Sequence, residues 1–244
     1  VFSKKEMNKY RIKKKPSKAY KKNLNEKNAR KYFIRLINNN FDENDYVMHL
    51  TYSNENLPDS IEEAEKNVSN FIRKINYRRK KLGLENSKYV YVTEFDKDKK
   101  IRVHHHMIVE GTIDRLLLKK LWTLGTRIKI EELEPDECGL TGLANYLAKD
   151  PKGKKRWSAS RNLKEPKVTT ADTKFTRRMA ERLAEDFETD GPQIFAKLFP
   201  DCVLNDCAIF RSDFVAGAYI YAKMRIDPGK EKRRREKERC KKRS

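Results

Sequence analysis

The chain has 244 residues, enough for one substantial domain and an appendage, and it carries 57 Lys and Arg against 36 Asp and Glu. The net charge of +21 favours a polyanionic partner, and 10% aromatic residues argue against disorder throughout. Nucleic acid is therefore the first expectation. Charge alone leaves a ribosome-associated protein or a membrane-surface binder as alternatives.

Two functional classes are disfavoured by the sequence. No apolar stretch approaches the roughly 20 residues of a spanning helix, so we expect a cytoplasmic protein with no membrane partner. The cysteines are too few and too scattered for a disulfide framework or a zinc site, and we expect them to be reduced. They are Cys138, Cys202, Cys207 and Cys240.

The apolar patterns predict an α+β domain over residues 31–168, after a basic N-terminal arm at 1–30. Its elements in chain order are a strand at 46–52, a helix at 61–82 capped by Ser60, an antiparallel hairpin of 89–95 and 101–109, a helix from Asp114, a strand at 126–133 and a short helix at 141–149. We expect a central antiparallel sheet of about five strands with helices packed on one side.

The remainder of the chain is predicted to be a helical C-terminal region and a tail. Helical patterns lie near residues 175–187 and 194–198, within a region from 169 to 226. Residues 227–244 are almost continuously Lys, Arg and Glu, which is typical of a solvated segment.

Three of the four histidines stand together in the second strand of the hairpin. Side chains alternate along a strand, so His104 and His106 face one side, with α-carbons about 6.5 Å apart, while His105 faces the other. That spacing allows both imidazoles to reach one metal ion. A histidine-rich strand among polar neighbours, with no metal, is the structural alternative.

A carboxylate and a tyrosine are candidates to complete this site. Glu94 ends the preceding strand, so strand pairing predicts that it lies beside His104 and His106. Such nitrogen and oxygen ligands suit a divalent cation, with Mn²⁺ or Mg²⁺ expected and Zn²⁺ also compatible. Tyr146 and Lys149 are three apart on the short helix and hence neighbours, as a nucleophile beside a cation. Core packing of Tyr146 and a solvent-facing Lys149 is the ordinary alternative.

These segments resemble the HUH endonuclease superfamily, and specifically the rolling-circle replication initiators of microvirus-type single-stranded DNA phages and related plasmids and integrative elements. The likeness covers about residues 30–168. The residues that carry it are Thr93-Glu94-Phe95 through His104-His105-His106, Leu50-Thr51-Tyr52-Ser53-Asn54-Glu55-Asn56-Leu57-Pro58, Asn145-Tyr146-Leu147-Ala148-Lys149 and Arg156-Trp157-Ser158-Ala159-Ser160-Arg161.

The resemblance implies a five-stranded antiparallel sheet and a divalent metal bound by His104, His106 and Glu94. Tyr146 would attack origin DNA, leaving a 5′-phosphotyrosine and a 3′-hydroxyl that a host polymerase extends. The sequence has no helicase phosphate loop, so a host helicase is expected as a further partner. One departure is His105, where such proteins carry a bulky or hydrophobic residue. With His49 it is expected to line the other face of the sheet.

Several features leave alternatives open. Trp157 among Lys154, Lys155, Arg156 and Arg161 suits stacking and phosphate contacts with single-stranded DNA, or else anchors a loop. Tyr219 and Tyr221 offer a second nucleophile, although core packing is favoured there. A non-enzymatic RNA-binding α+β module, a relaxase and a single-tyrosine transposase remain rival functions.

Overall fold

A computed structural model describes residues 19–96, 101–148, 156–171, 173, 175–211, 217–227 and 229–230, without the side chains of 19–23, 96, 101, 189 and 190. The chain divides into two compact units, Val1–Glu134 with Leu140–Pro166, and Pro135–Gly139 with Lys167–Ser244. No described helix combines the length and the apolar character needed to cross a bilayer.

The first unit is built on one antiparallel sheet, which confirms the predicted α+β class. Its helices are α1 (Ala19–Asn40), α2 (Ile61–Lys81), α3 (Arg115–Leu121) and α4 (Thr141–Leu147), and its strands are β1 (Tyr46–Leu50), β2 (Tyr89–Asp96), β3 (Ile101–Val109), β4 (Ile128–Glu132) and β5 (Ser158–Ala159). The strand order is β4-β1-β3-β2-β5. The two candidate ligand strands, β2 and β3, are thus interior strands.

Helices cover both faces of the sheet, so the expectation of helices on one side is wrong. On one face Met48, Leu50 and Met107 pack with α2 and α3. On the other face Val90 and Ile108 pack with α1 and α4. Because the inner strands carry apolar side chains at both odd and even positions, each face needs its own cover. The donor-bearing side chains share the α1 and α4 face.

Helix α1 begins at Ala19, inside the segment that was expected to be a basic arm. Its apolar residues, Phe33 and Ile37, are fully buried and anchor its second half to the sheet. The preceding Lys, Asn and Glu residues lack an apolar stripe, but a docked helix extends into such a sequence without a new nucleation step. The absence of an apolar rhythm before Asn28 therefore concealed the helix.

The C-terminal region is only partly helical, in contrast to the expectation for 169–226. After α5 (Arg177–Glu185) and α6 (Phe187–Leu198) come two paired strands, β6 (Cys202–Arg211) and β7 (Ala218–Ile226). A shift of register between Leu204 and Asp206 interrupts the alternation of β6 and obscures its strand pattern. Cys202 and Cys207 lie on β6 as free thiols, and Cys138 is free and exposed; Cys240 lies outside the described residues.

Candidate active site

Strand β3 presents its histidines to two different environments, as strand alternation requires. His104 and His106 lie on the α1 and α4 face, with ring centroids 5.1 Å apart. His105 lies on the opposite face and is fully buried. The two imidazoles that share a face are therefore available to one site.

Glu94 stands across the hairpin from these imidazoles because its backbone pairs with that of His104. Its carboxylate oxygens lie 3.6 Å from Nε2 of His104 and 3.4 Å from Nε2 of His106. The strand register shifts directly after Glu94, so the regular ladder of β2 ends at this residue. One carboxylate thus bridges both imidazoles.

The tautomer of His104 is defined by its own backbone. Nδ1 of His104 lies 2.9 Å from the carbonyl oxygen of Arg102 and must donate to it, since a carbonyl only accepts. The lone pair of the neutral ring is then at Nε2, the atom that faces Glu94. Backbone-held imidazoles of this kind are common among metal ligands.

His49 joins the same cluster, although sequence reasoning assigned it to the other face with His105. That expectation is wrong because β1 pairs with β3 so that His49 lies directly opposite His106. Candidate ligand atoms of His49, His104 and His106 all lie within 4.8 Å of one another. Burial, followed by the neighbouring His104, lowers the pKa of His49, which favours its neutral form.

His105 occupies a buried polar niche in the α2 and α3 face. Its Nε2 lies 2.7 Å from the hydroxyl of Tyr52 and its Nδ1 lies 2.9 Å from Oγ1 of Thr93. Burial lowers the pKa of His105 to about 3, so the ring is neutral at physiological pH. Both ring nitrogens are satisfied there, and His105 takes no part in the cluster on the other face.

Helix α4 brings Tyr146 to the histidine cluster. Ala144 and Leu147 are buried and dock the helix on the sheet. The ring of Tyr146 meets that of His106 edge to face, with centroids 5.3 Å apart. With 48% of its surface exposed, Tyr146 is not a core residue, and its ring is open to a substrate.

Residues 45–151, from β1 to α4, match the family model for the replication-associated protein ORF2. This matched segment belongs to that family. The resemblance to replication initiators is thereby confirmed, and membership indicates a role in replication. No curated protein and no solved structure matches the chain. The matched segment contains Glu94, all four histidines and Tyr146.

The last residues of the matched segment bear on Lys149. Helix α4 ends at Leu147, with Ala148 as its C-cap, whereas the sequence predicted a helix to residue 149. Lys149 lies outside the described residues, as do Lys154 and Lys155. Its position beside Tyr146 therefore stays a prediction.

Trp157 follows the matched segment and packs on α1. Its ring centroid lies 4.6 Å from that of Phe33 and 6.5 Å from that of Tyr32. Arg156 makes an ion pair with Glu26 of the same helix at 3.6 Å, while Arg161 is exposed. These contacts favour the loop-anchoring alternative for Trp157 over a surface stacking platform.

The alternative nucleophiles, Tyr219 and Tyr221, lie on β7 of the second unit. Tyr219 pairs with Phe210 across the hairpin and is 51% exposed, so core packing does not describe it. Phe214 and Val215, which were expected to surround these tyrosines, lie outside the described residues. Tyr146 differs from both in lying beside His106.

Proposed function

We propose that this protein initiates rolling-circle replication by nicking single-stranded DNA at an origin, with Tyr146 as the nucleophile. The observation that carries the proposal is the edge-to-face contact of Tyr146 with His106, whose Nε2 is 3.4 Å from Glu94. A half-exposed phenol beside a carboxylate and imidazoles combines a nucleophile with donors for a metal. Membership of a family of replication-associated proteins supplies the biological setting.

Glu94, His104 and His106 would hold a divalent cation. The donor set suits such an ion because one carboxylate lies between two imidazole nitrogens, and the tautomer of His104 directs a lone pair to the same point. When bound, the cation supplies Lewis-acid polarisation of a phosphoryl oxygen. Mn²⁺ and Mg²⁺ are the expected ions for phosphoryl chemistry, with Zn²⁺ as a further candidate.

The phenol oxygen of Tyr146 would attack the phosphorus of one phosphodiester. An oxygen–phosphorus bond forms to Tyr146 as the bond to the 3′ oxygen breaks, and the phenol proton ends on the released 3′-hydroxyl. The 5′ phosphate then stays joined to the protein. Since no water is consumed, a later 3′-hydroxyl can reverse the step and rejoin the strand, while the first serves a polymerase as a primer.

Basic residues would guide and hold the DNA. The net charge of +21 favours binding to phosphates, and exposed Arg161 together with Arg156, Lys154 and Lys155 provides cations after α4. Lys149 would stabilise negative charge on the phosphate or the phenolate. Trp157 would contribute by holding this basic segment to α1 through Phe33.

The proposal is tested by covalent capture. The full chain is incubated with Mn²⁺ and a pool of single-stranded oligonucleotides of random sequence, and adducts are separated under denaturing conditions. We expect a DNA-linked protein band, and mass spectrometry should place the nucleotide on the peptide that contains Tyr146. Tyr146→Phe should lose the band while keeping DNA affinity, and Tyr77→Phe, an exposed tyrosine of α2, is the matched control.

Other outcomes discriminate between the rival functions. DNA binding without any adduct would favour a non-enzymatic nucleic-acid binder. An adduct that persists in Tyr146→Phe and is lost in Tyr219→Phe or Tyr221→Phe would place the nucleophile in the second unit and refute the assignment.

A further inference from the structure

We infer that His49 is a third imidazole ligand of the cation, which makes the centre a set of three nitrogens and one carboxylate. This inference rests on the proposed function, because it concerns the metal of the same site. It goes further in naming a ligand outside the hairpin and in setting the metal preference. The expected occupant is a borderline transition-metal ion such as Co²⁺ or Zn²⁺ in preference to Mg²⁺.

The position of His49 is determined by the backbone. Antiparallel pairing of β1 with β3 puts His49 directly opposite His106, and their rings stack with centroids 4.7 Å apart and an interplanar angle of 8°. The ring of His49 also lies 4.9 Å from that of His104. Three imidazoles on two hydrogen-bonded strands therefore converge without a loop or a rearrangement.

The hydrogen bonding of His49 gives a second, independent observation. Its Nε2 is buried and has no hydrogen-bond partner within the described part of the chain. A buried polar nitrogen without a partner is costly, and a ring retained only for packing would be better replaced by an apolar one. Coordination of a cation would offset this cost. The buried nitrogen thus indicates a ligand of the site rather than a structural role.

The donor types then decide which ion is preferred. Mg²⁺ requires oxygen ligands and near-ideal octahedral geometry and keeps much of its water. Imidazole nitrogens bind Zn²⁺, Co²⁺ and similar ions far better. A site of His104, His106 and Glu94 alone is balanced between the two classes, whereas addition of His49 moves the preference toward the nitrogen-binding ions.

The test measures metal binding in the absence of DNA. The full metal-free chain is titrated with Co²⁺ by calorimetry and by visible absorption, and Mg²⁺ is used as the competitor. His49→Phe is the informative variant because it keeps a flat ring against His106 and removes only the nitrogens. We expect the Kd for Co²⁺ to rise about 10- to 100-fold and the cobalt absorption spectrum to change, with little change in Mg²⁺ competition.

Folding and chemistry are controlled separately. Metal-free His49→Phe should unfold at the same temperature as the wild type or higher, because a buried nitrogen without a partner has been removed. Tyr146→Phe should bind Co²⁺ like the wild type. Equal Co²⁺ affinity and spectra for wild type and His49→Phe, or no Co²⁺ binding by the wild type, would overturn the inference. Failure of the Tyr146 adduct alone would refute the nucleophile and leave the metal ligands standing.

Discussion

The hydroxyl of Tyr52 lies 2.7 Å from Nε2 of His105, on the face of the sheet opposite Glu94. Thr93 holds the other nitrogen of the same ring at 2.9 Å. The residue between the two candidate ligands of β3 is thus fixed on both sides by hydroxyl groups. This arrangement stabilises the strand conformation that projects His104 and His106 together.

Tyr52→Phe is expected to lower the free energy of unfolding by about 1–3 kcal/mol, because it leaves a buried imidazole nitrogen without its partner. Chemical denaturation of the purified variant measures the change. Tyr77→Phe, at an exposed tyrosine, should leave the stability unchanged. If both variants were equally stable, the hydrogen bond to His105 would have no structural value.

The stability of the metal-free protein should depend on pH through His105. Its pKa is lowered from 6.5 to about 3 in the folded state, so the unfolded chain binds the additional proton between those values. The contribution is therefore present above pH 6.5 and is lost as the pH falls toward 3. Urea unfolding at several pH values should show a decline that is shallower in His105→Gln. An identical decline in both proteins would assign the effect to other groups.

Arg79→Met should destabilise the first unit by about 3 kcal/mol, because it removes a buried cation from its acceptors. Arg79 is only 3% exposed, pairs with Glu110 at 2.9 Å and donates to the carbonyl of Glu85 at 2.6 Å. Arg78→Met, one residue earlier and exposed, is the matched control and should behave like the wild type in thermal unfolding. A similar loss in both variants would point to the helix rather than to the ion pair.

Trp157→Ala should reduce stability by about 2 kcal/mol, because its ring packs on Phe33 and Tyr32 while remaining partly exposed. Denaturation measures this loss, and fluorescence anisotropy measures the affinity for single-stranded DNA. Weaker DNA binding with unchanged stability would instead support base stacking on Trp157. Trp157→Phe should recover most of the packing.

Local patterns in the sequence were sufficient for the elements of the hairpin. The spacing of His104 and His106 determines that they share a face, and the short turn after Glu94 determines its proximity to them. Ser60 accepts from the backbone N–H of Glu63, as the predicted helix start requires. These features depend on residues that are close in the chain.

Features that depend on distant pairing could not be predicted. The register of β1 with β3 joins residues more than fifty positions apart, and it decides that His49 belongs with His106 rather than with His105. A shift of one residue would have moved His49 to the opposite face. The only signal was a fourth histidine within a predicted strand, which indicated neither its face nor its neighbours.

The donors and the phenol are borne by different kinds of structure. Glu94, His104 and His106 belong to interior strands locked by backbone hydrogen bonds, whereas Tyr146 reaches them on a helix of seven residues held by side-chain packing. Damage to the packing of that helix would displace the phenol and leave the ion in place. Under the proposed function, such a variant would occupy an origin without cutting it and would compete with the intact protein as an inhibitor.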